Sequence, residues 1–286
     1  MLLTILTILH RINLNNLNKL NFKKKYIMKK QILSIIFILS LSFSSSQLIS
    51  YEAIWVNDGM EEDYISVEEL WSEVKKQAIA DDIQDFWVVF KVEKDSTNPE
   101  SMKKPDYIVF NGFKDDEQRK KQTNWKELAM KVYKGKMSKR KFEKAWEKTP
   151  TVRKETRNFL VERLDNTMWS APEEGQSLDF RFNGFQALND DYENYEMKFF
   201  KDWHEKRTNA GVQAWWEFNK VINRSKNANQ EVTHFTLDIL KDGASEYEHP
   251  DSSLFTHQML VKNGVASRKR IIGDKMTMLY SHFQQN

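Results

Sequence analysis

The stretch EDYISVEELWSEVKKQAIADDIQDFWVVFKV (residues 62–92) reads as a helix followed by a strand. Tyr64, Val67, Trp71, Val74 and Ala78 recur at three- and four-residue spacing, which is one apolar face of an amphipathic helix. The run Phe86–Val92 then loses that period and is rich in aromatic and β-branched residues, as strands are. The same order returns in DDYENYEMKFFKDWHEKRTNAGVQAWWEFNKV (190–221). A constant offset of 128 pairs Asp63 with Asp191, Tyr64 with Tyr192, Glu68 with Glu196, Trp87 with Trp215 and Phe90 with Phe218. Similarity at a fixed offset points to one unit present twice.

Outward from these two stretches each unit reads alike. A short apolar strand comes first, Tyr51–Val56 in one and Phe180–Phe185 in the other. After the helix and second strand, a polar hairpin loop (93–104; 222–230) leads to a third strand (106–113; 232–239). Helical patterns follow over 124–148 and 254–270, and β-like runs near Leu164–Trp169 and Met276–Tyr280 close the units. Gly211 supplies a residue able to end the second unit's helix in the left-handed region, where the first unit has Asp82 or Ile83. The linker SAPEEGQS (170–177) separates unit 1 (50–169) from unit 2 (178–286). The element order β-α-β-β-α-β is the ferredoxin-like motif, so the expected class is α+β with antiparallel sheets.

On these residues, the paired helix–strand stretches and the aromatic-led second strand, the chain resembles the dimeric α/β-barrel superfamily, including uncharacterised secreted bacterial members. The resemblance covers about 50–282 and implies two tandem ferredoxin-like units closing one fused, pseudo-dimeric barrel. Chlorite dismutases, haem-degrading enzymes and monooxygenase-like proteins share that unit. It therefore implies haem or monooxygenase chemistry as one alternative.

In such a barrel one sheet face packs on helices and the other lines the interior. The wholly apolar face Phe86, Val88 and Phe90 is read as the helix side, joined through the offset by Ala214, Trp216 and Phe218. Trp87 and Trp215 then line the interior with Glu217 and Asn219, as an aromatic ligand pocket would be built. His234 alternates with Phe235, Leu237 and Ile239, which places it inside with Val232 and Thr236. His204, within WHEKR (203–207), sits at a helix edge. His234 and His204 are the candidate proton-transfer residues. A filled barrel is the alternative use of the tryptophans, and ordinary hydrogen-bonded histidines that of His204 and His234.

Residues 1–47 carry seven Lys/Arg and no acid, leaving 37 basic against 41 acidic residues, about −4. The basic balance of the whole chain thus belongs to its leader, and nucleic acid is not an expected partner. Met28-Lys29-Lys30, the apolar run Ile32–Leu41 and the polar Ser42–Gln47 have the order of a signal peptide over about 28–47. Residues 1–49 are read as an over-extended N-terminus plus that signal, with Met1 or Met28 as the start and a periplasmic or extracellular destination. The chain has no cysteine, which excludes disulfides, thiolate metal sites and cysteine nucleophiles.

No GxGxxG, P-loop, GxSxG or HExxH motif occurs, so nothing diagnoses an enzyme. His249, Asp251 and His257 make a weak cluster, and no metal or other cofactor is expected. Residues 119–157 hold 15 Lys/Arg against four acids and read as a solvated helix face or as a surface for a membrane or an acidic polymer, and the long region 124–169 reads as a lid or appended hairpin. The leading expectation is an exported protein that holds a small aromatic or apolar ligand inside its barrel. The alternatives are a haem-handling or monooxygenase-like enzyme and an envelope-associated interaction protein.

Overall fold

The computed structural model describes residues 47–284, so the start codon and nearly all of the signal segment lie outside the described residues. In chain order the elements are β1 (Leu48–Val56), α1 (Glu61–Ala80), β2 (Phe86–Val92), the short α2 (Pro99–Met102) and β3 (Tyr107–Phe113). Next come α3 (Asp116–Lys120), α4 (Trp125–Tyr133), α5 (Lys139–Lys148), β4 (Arg153–Asn166) and β5 (Leu178–Ala187). A helical rod follows, made of α6 (Tyr192–Tyr195), a π-helical turn (Glu196–Phe200) and α7 (Lys201–Asn209). Then β6 (Gln213–Arg224), β7 (His234–Lys241), α8 (Phe255–Ala266) and β8 (Arg268–Phe283) complete the chain.

The eight strands close an antiparallel barrel in the order β1-β3-β2-β8-β5-β7-β6-β4. The strands of each half run in the order fourth, first, third, second, and the pairs β2·β8 and β4·β6 join the halves. Closure leaves no unpaired edge. The expected α+β class and barrel are present.

The middle of the barrel is filled. Tyr51, Phe110, Phe182 and Phe235 converge there, with Phe182 stacked on Phe235 at 4.8 Å and Tyr51 edge-on to both. Outside, α1 covers one half of the sheet through Tyr64, Val67 and Ile79. Its other side, Leu70, Val74 and Ala78, takes Leu128, Ala129 and Phe142 from α4 and α5. The basic segment thus includes a helical hairpin packed over α1.

Two expectations need correction. Phe86, Val88 and Phe90 point into the barrel, whereas Trp87 and Val89 lie under α1 with Tyr107 and Val109. In the other half Trp215 does face inward, and Trp216 and Phe218 lie beneath the α6–α7 rod with Tyr192. Past Glu196, across the π-turn, the matching contacts fall 129 rather than 128 residues apart. Seven residues separate Glu68 from Lys75, but eight separate Glu196 from His204. Glu68 and Glu196 each hold an arginine, Arg153 and Arg268. Lys75 and His204 each meet a glutamine, Gln84 and Gln213. Those glutamines bond the carbonyls of Phe86 and Trp215 at 3.1 and 3.0 Å. Trp87 therefore stands where Trp216 stands, not Trp215.

The second correction concerns β4, expected near 164–169 but running over Arg153–Asn166. Arg153, Glu155 and Arg157 open it, and only Phe159 and Val161 enter the core. A strand with so few apolar residues looks like the basic helical stretch before it.

Candidate functional site

Among the described residues, one cavity opens at the barrel's mouth and another lies on its outer face. The mouth cavity, about 560 Å³, is floored by Tyr51, Phe159, Phe182 and Phe235. Lys104 and Asp274 pair at its rim at 2.9 Å, and Arg157 lies 4.4 Å from the centre of the Trp55 ring.

Deeper in the barrel the polar residues cluster around Glu217, with Asn219 Oδ1 and Arg163 Nε buried and unpartnered among the described residues. The Glu217 carboxylate accepts from Arg163 Nη2 at 2.5 Å, Asn219 Nδ2 at 3.1 Å, Trp215 Nε1 at 3.3 Å and the Tyr51 hydroxyl at 3.4 Å. Burial, with this carboxylate alongside, holds the Tyr51 hydroxyl protonated far above the usual tyrosine range. Trp215, Glu217 and Asn219 are thus brought together inside the barrel as expected. Their polar groups are turned on one another, which is the arrangement a buried charge requires.

The outer cavity, about 490 Å³, lies between the sheet, α1 and the α4–α5 hairpin. Trp71 from α1, Trp125 from α4, Trp146 from α5 and Trp87 from β2 give it four indole walls. Trp71 meets Trp125 and Trp146 at 5.8 and 5.3 Å between centroids. At its base Lys75 donates to Gln84 Oε1 and Asn111 Oδ1, each at 2.9 Å, and its Nζ lies 4.2 Å from the Trp125 ring centre. Burial lowers this amine to about 8, against the pull of Glu52 and Glu68. Beside it Arg153 joins Glu52 at 2.9 Å and Glu68 at 3.1 Å, and burial raises the Glu68 carboxyl. Lys75 forms no ion pair with any described residue, so its partners are neutral amides. Trp71 Nε1, Thr149 Oγ1 and Arg153 Nε, on residues lining this cavity, are buried without a hydrogen-bond partner among the described residues. Unpaired polar atoms are uneconomical in a plain core and recur at functional sites.

His234 is not in the barrel. Phe235 takes the inward position, so His234 faces out beneath the α6–α7 rod, stacked on Phe218 at 5.1 Å and bonded to Glu193 Oε1 at 3.2 Å. His204 also faces the sheet, stacked on Trp216 at 4.8 Å with Nδ1 at 3.1 Å from Gln213. Burial lowers both imidazoles. Neither lines one of the two cavities, and Trp87 lines the outer one rather than the interior.

Sequence reasoning passed over Lys75, Trp125, Trp146 and Arg153. One signal was available. Lys75 lies four residues after Trp71 and beside Val74, so it falls on the buried stripe of α1 where a lysine has no business in a plain core.

No family model matches the chain, and no curated protein matches it. Solved structures do resemble it. A "putative monooxygenase" from Lactobacillus acidophilus NCFM aligns with a TM-score of 0.51 at 7% identity, over 84% of this chain and 97% of that one. A counterpart from Fusobacterium nucleatum gives 0.48 at 9% identity, over 85% and 96%. A mutant chlorite dismutase from Candidatus Nitrospira defluvii gives 0.37 at 8%, over 82% and 92%. The likeness is one of fold. Function does not follow from fold at such identity.

Proposed function

We propose that the protein binds a small planar ligand in the tryptophan-walled outer cavity, with an acidic or carbonyl oxygen of the ligand facing Lys75. The observation that carries this reading is the Lys75 amine itself. Burial brings it down to about 8, so it stays mostly charged at neutral pH, and it sits among indole faces. Its only hydrogen bonds within the described residues go to neutral oxygens. Indole walls favour a flat apolar body, and an unpaired cation favours an electronegative end. The expected ligand inside the barrel thus moves to the outside of the sheet.

The wider setting is read as two fused ferredoxin-like units on an exported chain. Support for the fusion comes from the matching strand order of the halves and from the shared roles of Gln84 and Gln213. Support for export is the leader pattern. Among the described residues, neither of these cavities offers the axial ligand that haem, which the resemblance implies, would need. No histidine, cysteine or methionine lines either cavity, and the Tyr51 hydroxyl is tied to Glu217. Monooxygenase chemistry rests on fold likeness, with no residue to assign to it.

Tryptophan fluorescence titrated with benzoate-, phenol- and quinone-type compounds tests the site. Saturable quenching is expected, weakened about tenfold by Lys75→Met for anionic compounds and by Trp146→Ala for all. Filling the barrel mouth with Ala53→Trp should leave binding intact. Absence of saturable binding overturns the reading, and so does loss on Ala53→Trp with none on Lys75→Met.

A further inference from the structure

Away from both cavities, the connection from β7 to α8 brings together His249, Asp251 and His257. His249 and Asp251 belong to the loop, and His257 to the first turn of α8. One candidate ligand atom from each lies within 4.8 Å of the other two. The two imidazole rings stack at 4.3 Å between centroids, 24° apart, and both residues are more than nine-tenths buried. Trp203 meets them edge-on at 6.1 and 6.3 Å, and Phe199 lies 5.2 Å from His257.

This is an unusual place for two histidines. His257 makes no hydrogen bond with any described residue, although a buried imidazole ordinarily finds one. His249 Nδ1 accepts the Asp251 amide at 3.1 Å and lies 3.9 Å from Asp251 Oδ2. The one cation already present, Lys206 Nζ, sits 3.3 Å from that oxygen and 2.9 Å from Asp202. Among the described residues the His257 ring has nothing polar to bond and the His249 ring a single backbone amide, whereas a shared metal ion would use a nitrogen of each ring and the carboxylate.

We propose that His249, Asp251 and His257 bind a divalent transition-metal ion of the zinc class, which clips the β7–α8 loop to α8 above Trp203. Two imidazoles and one carboxylate are the donor set such ions take, and calcium or magnesium is disfavoured because it needs mostly oxygen. Ligand atoms around tetrahedral zinc lie about 3.3 Å apart, so the loop closes by about 1 Å on binding. Lys206 then keeps Asp202 and gives up Asp251. The partly exposed Asp251 side leaves a coordination position open to water.

The test uses the purified chain stripped with chelator and titrated with Co²⁺, then with Zn²⁺ in competition. The expected result is one saturating Co²⁺ equivalent with visible d–d bands of a four- or five-coordinate ion, displaced by Zn²⁺, and a rise in melting temperature with Zn²⁺. His257→Ala should weaken binding by about 100-fold and Asp251→Asn by about tenfold or more. His282→Ala, remote from the cluster and bonded to Ser72, should leave it unchanged. Should His257→Ala fold poorly, Asp251→Asn gives the same readout at an exposed position. Uptake that is weak and unsaturating, or that both ligand variants leave unaltered, overturns the proposal.

Discussion

The Lys75 ammonium lies 4.2 Å from the centre of the Trp125 ring, on the side of the indole that attracts a cation. Burial still lowers it from 10.5 to about 8. Its folded pKa is below its unfolded one, so the unfolded chain holds more protons between these values. Stability contributed by this group therefore rises with pH from about 8 to 10.5. ¹³C-methylated Lys75 should titrate near 8 by NMR. The urea midpoint should climb between pH 8 and 10 more steeply in the wild type than in Lys75→Met. Titration of Lys75 close to the ordinary lysine value would remove the basis of the proposed site.

Glu217 is the hub of the buried knot, and its loss strands Arg163. The Glu217→Ala variant is expected to lose about 3–5 kcal/mol, the range for breaking a buried ion pair. A double variant with Arg163→Met should recover a measurable part, because the uncompensated charge goes with it. Urea unfolding of the two single variants and the double variant measures the coupling. Additive losses would mean that Arg163 reaches solvent once Glu217 is gone.

His204 and His234 are buried neutral, and burial lowers both below 6.5. Below pH 6.5 the unfolded chain takes up protons that the folded one refuses, so stability falls with acidification until the lowered folded values are reached. Glu68 opposes this, since its raised carboxyl binds a proton earlier in the folded state. The wild type should therefore lose urea midpoint between pH 7 and 5, and His204→Gln or His234→Gln should flatten that slope. Unchanged slopes in both variants would show that the rings charge in place.

The element order was legible in the helix–strand stretches, β2 falling at Phe86–Val92 as read, while the barrel came only from the resemblance that this order supports. Which way the sheet faces was not. Both sides of β2 are buried, Phe86 and Val88 inside the barrel and Trp87 and Val89 under α1, so hydrophobicity alone could not rank them. Trp215 was nonetheless placed inside because two errors cancelled: the β2 face was inverted, and the offset of 128 carried onto β6 was one residue short there. His234 went to the wrong side for the same reason as Trp87, since Phe235 and Leu237 fill the interior. The outer cavity was hidden because it needs residues from α1, α4, α5 and four strands, and no local pattern reports that convergence.

The extra residue of the π-turn makes the sharpest claim about how the two halves correspond. If Glu196–Phe200 is a regular helical turn carrying one inserted residue, removing that residue should restore the seven-residue spacing that joins Glu68 to Lys75. Lys198 is the residue to delete, because it is exposed while Glu196 and Phe200 are buried. Its deletion should keep Glu196 on Arg268 and His204 on Trp216, with stability within about 1 kcal/mol of the wild type. Deleting the exposed Glu73 from α1 should do the opposite. Every α1 residue after it turns by about 100°, which carries Lys75 and Ala78 off their faces and should cost about 3 kcal/mol or more. Circular dichroism and urea midpoints of the two deletions decide the matter. Comparable losses from both would show that the π-turn is required where it stands, and that the one-residue shift between Trp87 and Trp216 has another origin.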